Sequence, residues 1–207
     1  MSSLKGYTPA LAGHLGTSPV ALYERQRELV RSGALEAGDG RGPGSGVRAT
    51  SPSVAMLMIA VLATDSLSET GEMVGLLAKA RTTSGVHPFK ETKTLVDTLA
   101  FILTSKVWSS RIVQISIVRS QRIAVVQYRD GRKIKSVEFH PSAAAQASVL
   151  RIEAALPGAA FRAIANDVWE IVGENDSSRR PDKADSRRLD RSMDRSRRTR
   201  PEEKARQ

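Results

Sequence analysis

The amino-acid sequence predicts an α+β fold, mainly α-helical with a small antiparallel β-meander and closed by a disordered C-terminal tail. Three observations lead there. Apolar residues recur at helical spacing in the first third of the chain and again from Leu95 to Leu103. The period then changes to two in "RIVQISIVRSQRIAVVQYRDGRKIKSVEFHP", where β-branched runs are divided by turn-forming residues. From Asn175 to Gln207 the larger apolar side chains are reduced to Leu189 and Met193, too few to bury a core.

Taken in order, "TPALAGHL" predicts a short helix, with a proline near its start and Leu11 and Leu15 four apart. "GTS" breaks it. "SPVALYERQRELVRSGAL" predicts a second helix with Ser18 as N-cap, Pro19 at the first helical position and Gly33 as the stop. Leu22, Gln26 and Leu29 share its inner face, and Val20, Glu24, Arg27 and Arg31 the opposite one. A glycine-rich loop, "GDGRGPGSGVRAT", spans Gly38–Thr50. Ser51–Ser53 can cap "VAMLMIAVLAT", which is apolar almost all round and is expected to be buried. "SLSETGEMVGLLAKA" offers a capping box from Ser66 to Glu69.

Beyond this, "ETKTLVDTLAFILTSKVW" predicts one helix with Leu95, Leu99, Ile102 and Leu103 on a stripe. The meander takes strands at Ile112–Val118 and Ile123–Tyr128, with Asp130-Gly131 as the turn into "RKIKSVEF". Two helices, "SAAAQASVLRIEAAL" and "AAFRAIANDVWEIVG", are expected on either side of Pro157-Gly158. Three regions follow: 1–81, 86–173 with a possible role in oligomerisation, and a tail over 174–207.

The 207 residues carry a formal charge of +10, which favours a partner with dense negative charge, nucleic acid first. Val86–His140 holds ten Lys and Arg against four Asp and Glu, and Asn175–Gln207 twelve against seven. With no cysteine, disulfides, thiolate zinc sites and a cysteine nucleophile are excluded. The opening "MSSLKGYTPALAGHLG" lacks the apolar run of a secretory signal, and the longest such run, Val54–Ala63, is too short to span a bilayer. A cytoplasmic protein without membrane contact is expected.

Catalytic and cofactor machinery is not visible. No Gly-Lys-Ser/Thr completes a P-loop, and "GSGVRA" meets G-x-G-x-x-A only formally, because it follows a helix rather than a buried strand. His87 and His140 stand in "HP" pairs, as turn residues do. Hence no enzyme, no cofactor and no metal site is expected.

The stretch "LAGHLGTSPVALYERQRELVRSGAL", Leu11–Leu35, resembles the winged helix-turn-helix of bacterial DNA-binding regulators. Leu11, Ala12, Leu15, Gly16 and Ser18 match the first part, Leu22 and Leu29 the buried positions of the recognition helix, and Gly33–Leu35 its exit. The likeness covers about a quarter of the chain. It implies a sequence-specific contact with double-stranded DNA through Ser18, Val20, Tyr23, Glu24, Arg27 and Arg31. It also makes the glycine loop a wing, with Leu35 and Glu36 leading out, Arg41 at the tip, and "VRAT" returning with Arg48. A transcriptional regulator working as a homo-oligomer is the function this implies, the tail being free for a protein partner. Two alternatives stand beside it: a phage-type small terminase, which is similar in layout and adapts DNA to a packaging motor, and an RNA-binding protein using the basic meander and tail.

Overall fold

The computed structural model describes residues 3–37, 46–82, 88–89, 92–142 and 150–177, and its first helix starts earlier than the sequence predicts. Helix α1 runs Leu4–Leu15, and the Ser3 hydroxyl caps it by accepting from the Gly6 N–H at 3.1 Å. Pro9 therefore lies inside the helix. The added turn is held by burial, because Leu4, Tyr7 and Leu11 share one stripe against the core. Gly16 then takes a left-handed conformation (φ 65°) and returns its N–H to Ala12 and Gly13, a bend that suits a residue without Cβ. Helix α2, Pro19–Arg31, is capped by Ser18 and buries Leu22, Gln26 and Leu29, as expected, with Gly33 at φ 73° just past its end.

Helix α3, Ser51–Ala63, is the most buried element, with nine of its residues inside. Thr50, not Ser51–Ser53, is the cap, and Ser53 is its partner in a reciprocal capping box. Ahead of α4, Thr70–Ala78, the Ser66–Glu69 box does not form. Glu69 is itself the N-cap position, without a side-chain cap bond, and its carboxylate accepts from the Thr64 hydroxyl.

A two-residue strand β1, Arg81–Thr82, precedes a helix that the sequence reads as continuous but that breaks at Ser105. The break separates α5, Leu95–Thr104, from α6, Lys106–Arg111. Ser105 is extended and caps the second helix through the Trp108 N–H. The redirected helix packs Trp108 edge-on against Phe89 and Tyr128, with ring centroids 5.0 and 6.0 Å away. The predicted stripe Leu95, Leu99, Ile102 and Leu103 is fully buried.

Strands β2 (Ile112–Val118), β3 (Ile123–Asp130) and β4 (Lys133–His140) form the expected antiparallel meander. Two further strands extend it to five, in the order β1-β4-β3-β2-β5. Strand β5, Glu153–Pro157, overturns the end of a predicted helix; residues 143–149 of that helix lie outside the described residues. The main chain of β2 offers a second edge, and β5 fills it over five register pairs from Gln114↔Pro157 to Val118↔Glu153, which turns Leu156 into the core. Helix α7, Gly158–Ser177, follows at once.

Residues Met1–Val172 form one compact unit, and Gly173–Gln207 a second, of which only the end of α7 is described. A single apolar core runs through the first unit and crosses the 81–86 stretch, where the sequence suggests a division. The tail expected to be disordered lies, from residue 178 on, outside the described residues. No described helix is long and apolar enough to cross a membrane.

At the junction between β5 and α7 two backbone segments approach closely. A Cβ on Gly158 would lie 2.2 Å from the Ile112 carbonyl oxygen, whereas one on Gly75, within α4, meets nothing within 4 Å. Gly158→Ala is expected to destabilise the fold by about 3 kcal/mol through this clash. Gly75→Ala should stabilise it by about 0.5–1 kcal/mol through helix propensity. Denaturant unfolding of the two variants beside the parent checks both signs.

Candidate nucleic-acid interface

The α1–turn–α2 hairpin sets which face of α2 meets solvent. Leu22, Gln26 and Leu29 bury toward α1 and α3. Arg25 also turns inward and donates to the Ala60 carbonyl (3.2 Å), the Thr70 hydroxyl (3.1 Å) and the Asp65 carbonyl (3.2 Å). From the other side Arg119, just after β2, donates to the Leu62 carbonyl at 2.8 Å, to the Val61 carbonyl and to both Asp65 carboxylate oxygens. Two guanidinium groups thus cap the C-terminus of α3, where carbonyls without helical partners and the helix dipole favour cations. Burial pulls the Arg25 guanidinium below its usual value, and the hydrogen bond from Arg119 holds the Asp65 carboxyl below the usual carboxylate range.

With its inner side held in this way, α2 turns Val20 (72% exposed), Glu24, Arg27 and Arg31 outward. Arg27 pairs with Glu24 at 3.1 Å and Arg31 with Glu28 at 2.8 Å, but the arginine side chains remain 65% and 75% exposed. The Arg27–Glu24 pair is exposed on both sides and is worth about 1 kcal/mol or less, so a phosphate or base edge can displace Glu24. Glu28 is largely buried, so Arg31 keeps that partner and offers its remaining donors. Tyr23 lies to one side, half-buried, with the Lys5 ammonium 5.3 Å from its ring centre. Ser18 is committed to the helix start, where its hydroxyl accepts from the Ala21 N–H. The sequence-derived set is therefore brought together in four members, Val20, Glu24, Arg27 and Arg31, with Tyr23 at their edge.

The expected wing pairing does not form among the described residues. Arg48 is exposed, but its main chain bridges Ser3, and the Val47 carbonyl accepts from the Leu4 N–H at 2.8 Å. Leu35 instead returns its N–H to the Leu29 carbonyl and buries its side chain. An open cleft of about 500 Å³, lined by Leu35, Glu36, Val47, Arg48 and Met56 among others, lies between the two segments. The physical reason is that these groups are committed elsewhere, the Leu35 N–H to the end of α2 and the Val47 carbonyl to the start of α1. Arg41 and the loop tip, 38–45, lie outside the described residues.

Sequence reasoning missed a second link. The Tyr7 hydroxyl and His14 Nε2 both reach one Asp167 carboxylate oxygen on α7, at 3.2 and 3.0 Å. Burial, and then the Asp167 charge, push the Tyr7 phenol far up, so it stays a donor to that carboxylate. The spacing of Tyr7 and His14, seven apart on one helix stripe, was the available signal. For the clamp the signal was an acid, Asp65, just beyond an apolar helix, where the dipole disfavours it unless a cation is near. Among the described residues no group of three His, Asp or Glu is placed to hold a metal ion. His140 ends β4 with Nε2 3.3 Å from the Glu138 carboxylate, and His87 lies outside the described residues.

Compared with known proteins, the chain matches no family model, no curated sequence and no solved structure.

Two measurements test this construction. Gln26 is buried with its Oε1 unpartnered, so Gln26→Met is expected to raise stability by about 1 kcal/mol in denaturant unfolding. The Asp65 carboxyl is depressed by folding, so its ionic contribution is fully present above an unfolded value of about 4 and is lost as pH falls through the lower folded value. Thermal melts from neutral to strongly acid pH should show a shallower acid loss in Asp65→Asn than in the parent.

Proposed function

We propose that this chain is a sequence-specific DNA-binding protein, a transcriptional regulator that reads double-stranded DNA with α2. The observation that carries the reading is the division of α2 into two faces. One is fixed by Leu22, Arg25, Gln26 and Leu29, and the other is presented to solvent with Val20, Arg27 and Arg31 prominent on it. A helix held on one side by a preceding helix and a left-handed glycine turn can enter a major groove, which is wide enough to admit it.

The chemistry of that face suits both kinds of contact. Arg27 and Arg31 offer forked donors to phosphate or guanine, Val20 an apolar contact for a thymine methyl, and Glu24 an acceptor for cytosine. Arg48 stands exposed beside the first turn of α1 as a further backbone contact. The net charge of +10 supplies attraction that does not depend on sequence. A single short reading helix gains useful affinity by repetition, so a homo-oligomer on repeated half-sites is part of the proposal.

Selecting bound fragments from a random duplex pool at fixed salt should enrich a short motif, and recovery of an unenriched pool would overturn the reading. On the enriched site, Arg27→Ala should lose roughly 1–3 kcal/mol of discrimination at one position of the motif. Deleting residues 175–207, twelve of them basic and seven acidic, should mainly flatten the dependence of affinity on salt.

A further inference from the structure

The β3–β4 hairpin carries more charge and more exposure than a sheet turn requires. The eight residues Arg129–Ser136 are all exposed. Strand β2 ends its pairing with β3 at Ile112↔Tyr128, and β1 touches β4 only at Phe139 and His140. Between these limits the hairpin is a two-stranded ribbon, unpaired on both edges among the described residues. It turns at Gly131 (φ 60°).

Register decides what each face of the ribbon presents. Arg129 lies opposite Ile134 on the face turned from the core, and Asp130 lies opposite Lys133 on the other, with Arg132 at the tip. Asp130 is the single acid, and it is taken by Lys135 across the ribbon. Arg129, Arg132 and Lys133 have no acidic partner among the described residues. The Lys135 hydrogen bond and charge hold the Asp130 carboxyl below its usual range, and Arg111, stacked 5.2 Å from the Trp108 ring centre, adds a smaller contribution. The root of the ribbon is stiff, because Tyr128, its last buried residue, stands edge-on to both Phe89 and Trp108.

We propose that this ribbon is a second contact with double-stranded DNA, seated in a groove with the Ile134 face and its neighbour Arg129 turned to the groove, and with Arg132 at the tip and Lys133 beside it reaching the flanking phosphates. The inference rests on the α2 reading for its partner and adds a separate surface to it. A two-stranded ribbon fits the major groove, and charge complementarity selects the occupant. Lysines on a free strand can serve simply to prevent edge pairing. That role leaves unexplained Ile134, a β-branched residue 60% exposed in the middle of the ribbon, which an edge under protection would exclude.

Position gives the inference a geometric consequence. Arg25 of α2 and Arg119 of the β2–β3 turn meet at Asp65, so α2 sits at one end of the sheet and the ribbon at the other. The eight residues of β3 separate those ends by ~25 Å. One protomer therefore covers most of a helical turn, or bends the duplex to bring both surfaces onto it.

The test uses the full-length chain and a duplex longer than two helical turns, with affinity measured over a salt series. Three forms are compared: the parent, R129Q/R132Q/K133Q, and R27A/R31A. The ribbon variant should lower the slope of log affinity against log salt by about two to three, each phosphate contact being worth about 0.9, while keeping the parent's melting temperature and site preference. Ile134→Ser should weaken binding roughly fivefold without changing the slope. The α2 variant should lose site preference and retain the ribbon's share of the slope. An unchanged slope in the ribbon variant overturns the ribbon and leaves α2 in place, and so does aggregation of that variant without a change in slope. If only the ribbon variant matters, the ribbon stands and the α2 reading falls. A parent that does not bind the duplex removes both, and a larger ribbon-dependent effect on single-stranded RNA than on the duplex overturns this assignment.

Discussion

The C-terminus of α3 is the point on which the rest of the molecule depends. A helix buried on nearly every side cannot hand its last carbonyls to water, and Thr64 leaves the helix in extended conformation without closing it. Arg25 and Arg119 supply the missing donors, each bringing a different part of the chain with it. Hydrogen bonds from charged donors are worth about 1.5–3 kcal/mol when made, and orphaned carbonyls cost a similar amount. The same clamp orients α2 and joins it to the sheet, so the outward face of α2 is a consequence of how α3 ends.

The sheet carries that order to the opposite end of the molecule. Strand β2 is paired on both edges, by β3 and β5, and it packs against α3. Gly158 lets α7 begin directly against the Ile112 carbonyl. At the far end, a chain with only 4% aromatic residues gathers Phe89, Trp108 and Tyr128 into one edge-on cluster. The two ends of β3 are thus anchored by the Arg119–Asp65 contact and by the aromatic cluster, beside α2 and the ribbon.

Much of this was legible before folding. The faces of α2 followed from helical spacing, and Ser18, Pro19, Gly16 and Gly33 marked its limits through capping and backbone rules. The three meander strands followed from alternation and from the Asp130-Gly131 turn. What misled was local preference set against distant partners. The alanine-rich run ending at Leu156 suits a helix, but the free edge of β2 makes its last four residues, with Pro157, a strand. The segment after the glycine loop looks like a strand returning to Leu35, yet its main chain bonds to Ser3 and Leu4. Arg25 was left unassigned because periodicity ranks apolar residues and says little about which cation turns inward.

By itself the sequence determined the helix and strand periods, the absence of cysteine chemistry, and the basic charge, because these depend on residue type and near neighbours. Only the tertiary structure decided that α3 is clamped by two arginines, that β5 completes the sheet, and that residues 129–136 stand clear as a charged ribbon. Each of these depends on a hydrogen-bonding group far along the chain finding its partner, or finding none.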